Sequence, residues 1–444
     1  MGEIIKTIFG ATAGPLMLVL GLLMFTYLLN IMNVDAGPIF SVMVALTPIW
    51  LPFTLFYITF DRWMYYAQNK FAANQGRSTL RIHLPQEVFK SPEAMEGVIS
   101  QIHNVNTPDN LMQTYIDGKH PLTFSFELVS TGGEVRFYIN VPTKKTKNAL
   151  EALLYAHYPG IEVAEEDIDY TDEIPWDPER YEYMAFHMGK KEDEIYPIKT
   201  YIDFGMDKLP KEEEKFEPMA AMIEQLGKIK PHERLWIQFL AVPHVKKNFK
   251  NGSLTEVPTW DKKAVAKINE ILKRDQRPDP DSESFERAPM LTMSERDKIA
   301  AIERNVGKYA YEVGIRWLYI TETGKFDGDI ISPIIRSFAQ YDIIGRNGIG
   351  VRWRTDFNYK MFSDPSGRRI KKWKEQELAY YKSRYYYHRE RVTGDDAMKV
   401  FSSEELATMF HIPGTSVVTP SLPRITSARK EAPSNLPTGL ATGI

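Results

Sequence analysis

Leu122-Thr-Phe-Ser-Phe-Glu-Leu-Val129, followed by Ser130-Thr-Gly-Gly133 and Val135-Arg-Phe-Tyr-Ile-Asn-Val141, decides the fold. Apolar and polar side chains alternate in both runs, and β-favouring types fill them, so each reads as a strand with one face turned to a core. The Gly-Gly between them supplies the turn of a β-hairpin. Pro142 ends the hairpin, and Thr143 to Tyr158 reads as a helix, with Ala149, Leu150, Leu153, Leu154 and His157 at helical spacing. Pro159-Gly160 stops that helix, and Ile161-Glu-Val163 starts another strand. The order recurs farther along as an extended run, Tyr196 to Phe204, and a helix marked by Met219, Met222, Ile223 and Leu226 that closes at Gly227. The strand Arg234-Leu-Trp-Ile-Gln-Phe-Leu-Ala-Val242 completes it. Two such passages predict an α+β fold with ferredoxin-like units, in which helices cover one face of a mostly antiparallel sheet.

Outward toward the start of the chain, Phe9 to Asn30 and Pro38 to Phe60 are apolar and carry no charge. Each is long enough as a helix for a bilayer core about 30 Å thick. The short link Asn33-Val-Asp-Ala-Gly37 makes them an N-terminal two-helix transmembrane hairpin, and Trp63-Met-Tyr-Tyr66 supplies an interfacial aromatic belt. Lys6, Arg62, Lys70, Arg77 and Arg81 flank the hairpin while the link carries only Asp35. The positive-inside rule therefore predicts a multi-pass protein of the inner cell membrane, with both termini and the bulk of the chain cytoplasmic. The alternative is one span plus a re-entrant helix, helped by Pro48 and Pro52.

The expected organisation is a transmembrane hairpin and juxtamembrane helix over 1–70 and a ferredoxin-like α+β unit over 71–274. A second α/β unit over 288–360, a basic helical segment over 361–412 and an extended Pro-rich tail over 413–444 follow. Asp275 to Arg287, charged and Pro-containing, marks the boundary between the two units. In the second, Ser294 is the expected N-cap with Asp297 at N3, and Ile299, Ile302 and Val306 line a helix ended by Gly307. A strand, Tyr311 to Ile320, and a helix from Asp329 to Tyr341 complete it.

The net charge of −3 demands no nucleic acid, and the absence of cysteine excludes disulfides, thiol catalysis and thiolate metal sites. No G-x-x-x-x-G-K-[ST] phosphate loop, H-E-x-x-H, G-x-S-x-G or G-x-G-x-x-G occurs, and the 9 histidines are scattered singly. The chain is therefore expected to be no enzyme, with no catalytic residue, cofactor or metal. Gly345-Arg-Asn-Gly-Ile-Gly350 offers either a cradle for an anion or a flexible connector. The acidic runs at 165–182 and 211–217 offer either paired carboxylates or a solvated face.

Residues 368–391 are basic with interleaved aromatics. They yield the candidate nucleic-acid or anion contacts Arg368, Arg369, Lys371, Lys372 and Lys374, and farther on Arg384, Arg389 and Arg391. The competing reading is a surface helix that packs its tyrosines inward and leaves cationic stems on the rim. A short helix with Ser402 and Glu405 as its capping box follows, stopped by Pro413. Beyond Pro413 the composition predicts an extended connector.

Several passages together resemble one family: Glu134-Val-Arg-Phe-Tyr-Ile-Asn-Val-Pro142, Leu153 to Val163, Thr292 to Glu303, Gly314-Ile-Arg-Trp-Leu-Tyr-Ile320, Phe410 to Pro420 and Ala432 to Pro437. The family is the N-terminal, non-ATPase, membrane-proximal portion of proteins related to type IV secretion and conjugative DNA-transfer ATPases, in the form seen in candidate-phyla (Patescibacteria-like) bacteria. In it a HerA/FtsK-like motor typically follows the Asn-Leu-Pro segment, whereas this sequence stops at Ile444. The resemblance thus implies a non-catalytic, membrane-anchored component of a secretion or DNA-transfer machine. Such a component would dock a separately encoded P-loop motor ATPase or assemble as a homo-oligomeric ring around its channel. The implied docking residues are Phe410, His411, Pro413, Val417, Val418 and Pro420, with Asn435, Leu436 and Pro437. The alternative function is a membrane-tethered nucleic-acid-binding protein that uses residues 368–391.

Overall fold

The computed structural model describes residues 37–86, 90–208, 216–246, 248–253, 259–272, 291–355, 364, 366–386, 398–414 and 421–425. The chain divides into two units, Met1–Ala67 and Gln68–Ile444.

In the first unit the apolar stretch from Pro38 to Phe60 is not one helix. It forms α1 (Gly37–Ala45) and the start of α2 (Thr47–Gln75), parted at Leu46. Pro48 has no N–H to donate, so the helical hydrogen-bond ladder lacks a rung beside this point. The uncharged part of α2, Thr47 to Phe60, rises only about 20 Å at ~1.5 Å per residue before Asp61 and Arg62 intervene. Among the described residues, no helix is long and apolar enough to cross a membrane. The transmembrane hairpin and the multi-pass membrane location are thereby corrected. Phe9 to Asn30 lies outside the described residues. An uncharged window measures composition, while a span also needs an unbroken helix of sufficient length.

Among the described residues the second unit is built on a ten-stranded sheet. Its strands are β1 (Arg77–Pro85), β2 (Phe124–Thr131), β3 (Glu134–Pro142), β4 (Glu162–Glu165), β5 (Tyr181–Lys190), β6 (Glu233–Pro243), β7 (Ala310–Glu322), β8 (Ile349–Arg354), β9 (Lys399–Ser402) and β10 (Arg424–Ile425). They lie in the order β10-β1-β3-β2-β6-β7-β5-β8, with β4 beside β1 and β9 beside β7. Every pairing is antiparallel except that of β10 with β1. The segments that sequence reads as two α/β units share this sheet, because β7 lies between β6 and β5.

The helices after α2 are α3 (Pro92–Ile102), α4 (Leu111–Tyr115), α5 (Thr146–His157), α6 (Ala220–Gly227), α7 (Trp260–Ile271) and α8 (Met293–Val306). They continue with α9 (Ile331–Arg336), α10 (Arg368–Lys382) and α11 (Ser403–Met409). Alternate strand residues such as Phe126, Phe137, Phe239 and Trp317 turn to one face and form the main core with α3, α5, α6 and α11. Side chains of the other parity, among them Tyr138, Trp236 and Leu318, form a second cluster under Leu378 and Tyr381 of α10. Both faces of the sheet are therefore covered.

Two local expectations change. Tyr196 to Phe204 contains turns and no strand, and the strand of this region is β5, which carries almost no exposed residue. A strand buried on both faces loses the alternation that identifies it. The cap of α8 is Thr292, which exchanges hydrogen bonds with Glu295 in a full capping box, two residues before the expected Ser294 and Asp297. The Ser402–Glu405 box is present at α11.

Candidate functional site

Glu127, Gln238, Arg316 and His187 lie side by side on β2, β6, β7 and β5, each paired in register with the next. In sequence each is a polar side chain between apolar neighbours, and polarity alone reads such residues as solvent-facing. In the fold all of them are buried. Glu127 accepts from Ser125 Oγ at 2.5 Å, Tyr170 OH at 2.7 Å, Gln238 Nε2 at 3.0 Å and Arg384 Nε at 3.0 Å. Arg384 reaches Asp169 at 2.7 Å, and Glu377 of α10 lies 2.8 Å from His187 and 3.4 Å from Arg316. Burial would raise the Asp169 carboxyl, but the Arg384 charge and hydrogen bonds from Thr171 outweigh it and hold it below its ordinary range.

This row settles where the basic segment's residues sit. Arg368, Arg369, Lys371 and Lys372 are exposed on the first half of α10, and Lys374 is half-buried. Arg369 lies over the ring of Trp373. Arg384 is the exception, since its guanidinium is locked in the interior against Glu127. Arg389 and Arg391 lie outside the described residues. Tyr381 and Tyr386 point inward, so the segment combines an inward aromatic face with an outward cationic one.

The implied docking residues are placed differently from expectation. Phe410, His411 and Pro413 are buried, and Phe410 packs at tilted and edge-on angles against Phe126, Phe137 and Phe239 in the main core. The short helix α11 leads the chain directly into this core. Val417, Val418, Pro420, Asn435, Leu436 and Pro437 lie outside the described residues. His411 Nε2 lies 2.5 Å from Glu217, which also accepts from the Gly414 amide at 3.3 Å. Burial favours the neutral acid at Glu217, but the His411 charge and these hydrogen bonds outweigh it and hold the carboxyl below its ordinary range. A lowered folded value means that the unfolded chain takes up the proton first. The contribution is thus complete above about pH 4.5 and is lost as pH falls through the folded value. Urea midpoints measured from pH 7 to pH 3 should fall below that point, and Glu217→Gln should flatten the fall; an unchanged profile in the variant would remove Glu217 as its source.

The glycine cluster forms a cleft. Residues 342–348 meet the turn at 191–196 around a cavity of about 460 Å³, lined among others by Lys191, Tyr196, Lys298, Asp342, Ile344 and Arg346. Asn347 joins the two walls: its Oδ1 accepts from the amides of Glu192 and Gly348, and its Nδ2 donates to the carbonyls of Asp193 and Tyr196. Asp342 accepts from the Ile349 amide at 3.0 Å and pairs with Lys191. A Cβ on Gly348 would overlap the Asp342 carboxylate, and Gly345 has φ +83°, so two glycines of the cluster answer to geometry. Arg346 lies 3.4 Å from Asp203. Burial pushes the Tyr196 phenol above its ordinary value, which keeps it a neutral donor. The lysines come from chain positions about a hundred residues from each other and from the loop's neighbourhood, so only the spacing of the glycines was a signal in sequence.

The described part of the molecule is an α+β platform, a mostly antiparallel sheet with helices on both faces, that carries a cationic helix face and a charged cleft. The chain belongs to the family described as Domain of unknown function (DUF8128), whose model matches residues 66–342 and so includes the sheet from β1 through β7. No curated protein and no solved structure matches the chain.

Proposed function

We propose that this chain is a non-catalytic component of a type IV secretion-like or DNA-transfer machine and acts as a docking platform for a separately encoded HerA/FtsK-like motor ATPase. The observation that supports this reading is the parallel pairing of β10 with β1, Leu84 beside Arg424 and Pro85 beside Ile425. Arg424 also donates to the carbonyls of Pro85 and Gly414. In the proteins that the sequence resembles, the corresponding segment leads into the motor, and here its start is fixed to a sheet edge. A rigid point of departure reduces the ordering cost of presenting an extended segment to a partner.

The test is co-purification of the full chain from its native cells, with the accompanying proteins identified and their stoichiometry measured. A P-loop ATPase in constant ratio is expected. Removal of the residues after Ile425, which keeps β10, should release it without lowering the melting temperature. Retention of the ATPase by the shortened chain, or its absence from the intact one, would overturn the reading. Nucleic-acid binding is the second reading, favoured by the exposed Arg368, Arg369, Lys371 and Lys372 on α10. Charge reversal at these four positions separates the two, since it should leave the ATPase bound while abolishing any salt-sensitive retention of DNA.

A further inference from the structure

We propose that the cleft between residues 342–348 and 191–196 binds the phosphate group of a small molecule. Three cationic side chains, Lys191, Lys298 and Arg346, converge on it from three separate parts of the chain. Two of them already face carboxylates, Lys191 that of Asp342 and Arg346 that of Asp203. No carboxylate is found beside Lys298 among the described residues, and its Nζ would lie 3.7 Å from a Cβ built on Gly345. It therefore supplies a charge that a bound anion can neutralise beside the left-handed turn of the loop. The amides of Ile344, Gly345 and Asn347 donate to no acceptor among the described residues. Such unused backbone donors on a glycine turn are the ordinary complement of phosphate oxygens.

The remaining lining sets the size and kind of ligand. A volume of about 460 Å³ exceeds what a bare phosphate ion fills and lies within the roughly 300–1,000 Å³ of small-molecule sites. Tyr196, Ile343 and Ile344 offer flat and apolar surface to an organic body. Glu192 and Asp342 line the same cleft. Their negative charge opposes a continuous polyanion such as a nucleic-acid strand more than one compact phosphorylated group. Asn347, held in four hydrogen bonds, fixes the two walls before any ligand arrives.

This inference stands apart from the motor reading, so failure of an ATPase to co-purify leaves it untouched. The test is calorimetric titration of the full chain with ADP and, separately, with inorganic pyrophosphate at low ionic strength. Saturable binding is expected, weakened at least tenfold in Lys298→Glu. Lys298 makes no ion pair among the described residues, so the variant's melting temperature should match that of the parent. Tighter binding of ADP assigns an organic carrier, and equal binding assigns the free anion; either supports the site. Absence of binding by both probes, or binding indifferent to Lys298→Glu, overturns it. Arg346→Gln is the second variant and should weaken the same titration.

Discussion

Glu127→Ala is expected to destabilise the second unit by ~3–5 kcal/mol, the usual cost of removing one partner from a buried ion pair. The carboxylate is fully buried and accepts hydrogen bonds from Ser125, Tyr170, Gln238 and Arg384. Its removal leaves the Arg384 guanidinium in the interior with Asp169 as its one remaining carboxylate among the described residues. An arginine cannot escape by losing its proton, so the charge stays and the desolvation cost is uncompensated. Glu127→Gln keeps an acceptor while deleting the charge and should cost less than alanine. Urea unfolding of the two variants and the parent measures the order. A loss under about 1 kcal/mol for alanine, the range of an exposed pair, would mean that Arg384 swings into water and that the row is not a closed interior.

The second large effect is at Phe410. Phe410→Ala should cost ~3–5 kcal/mol, the range for deleting a buried aromatic ring and leaving a cavity. The ring is fully buried, with its centroid 5.2 Å from that of Phe126, 5.8 Å from Phe137 and 6.4 Å from Phe239. Those partners stand on β2, β3 and β6, so one side chain from near the end of the chain joins three strands formed from much earlier residues. Denaturant unfolding reads the loss directly. Unchanged stability together with loss of a bound partner would return Phe410 to the docking surface that its position in sequence implies.

The two variants also mark the limits of what could be read in advance. The hairpin at 122–141, the helix at 143–158, the strand at 234–242 and the capping box at Ser402 are all present, because local periodicity and turn chemistry set them within a dozen residues. The strand β5 was not legible: with both faces covered, Tyr183, Ala185, His187 and Gly189 are as buried as Met184, Phe186 and Met188. Of the cleft, the glycine spacing was visible, but the arrival of Lys191 and Lys298 was not, since nothing local couples those positions to residue 345. The N-terminal apolar window misled for a related reason. Hydropathy adds up side chains and is blind to the interruption at Leu46 that ends one helix and begins another.

By itself, then, the sequence determined the α+β character of the chain, its antiparallel hairpin, the helix at 143–158, the capping box at Ser402 and the absence of thiol chemistry, all consequences of composition or of neighbours along the chain. The tertiary structure alone decided which polar residues face water. Glu127, Gln238, Arg316 and His187 are polar side chains that local sequence would leave in water, yet α10 and Arg384, contributed from more than a hundred residues beyond Gln238, close over them. Burial is a property of what arrives on a face from elsewhere in the chain, and no local rule contains that information.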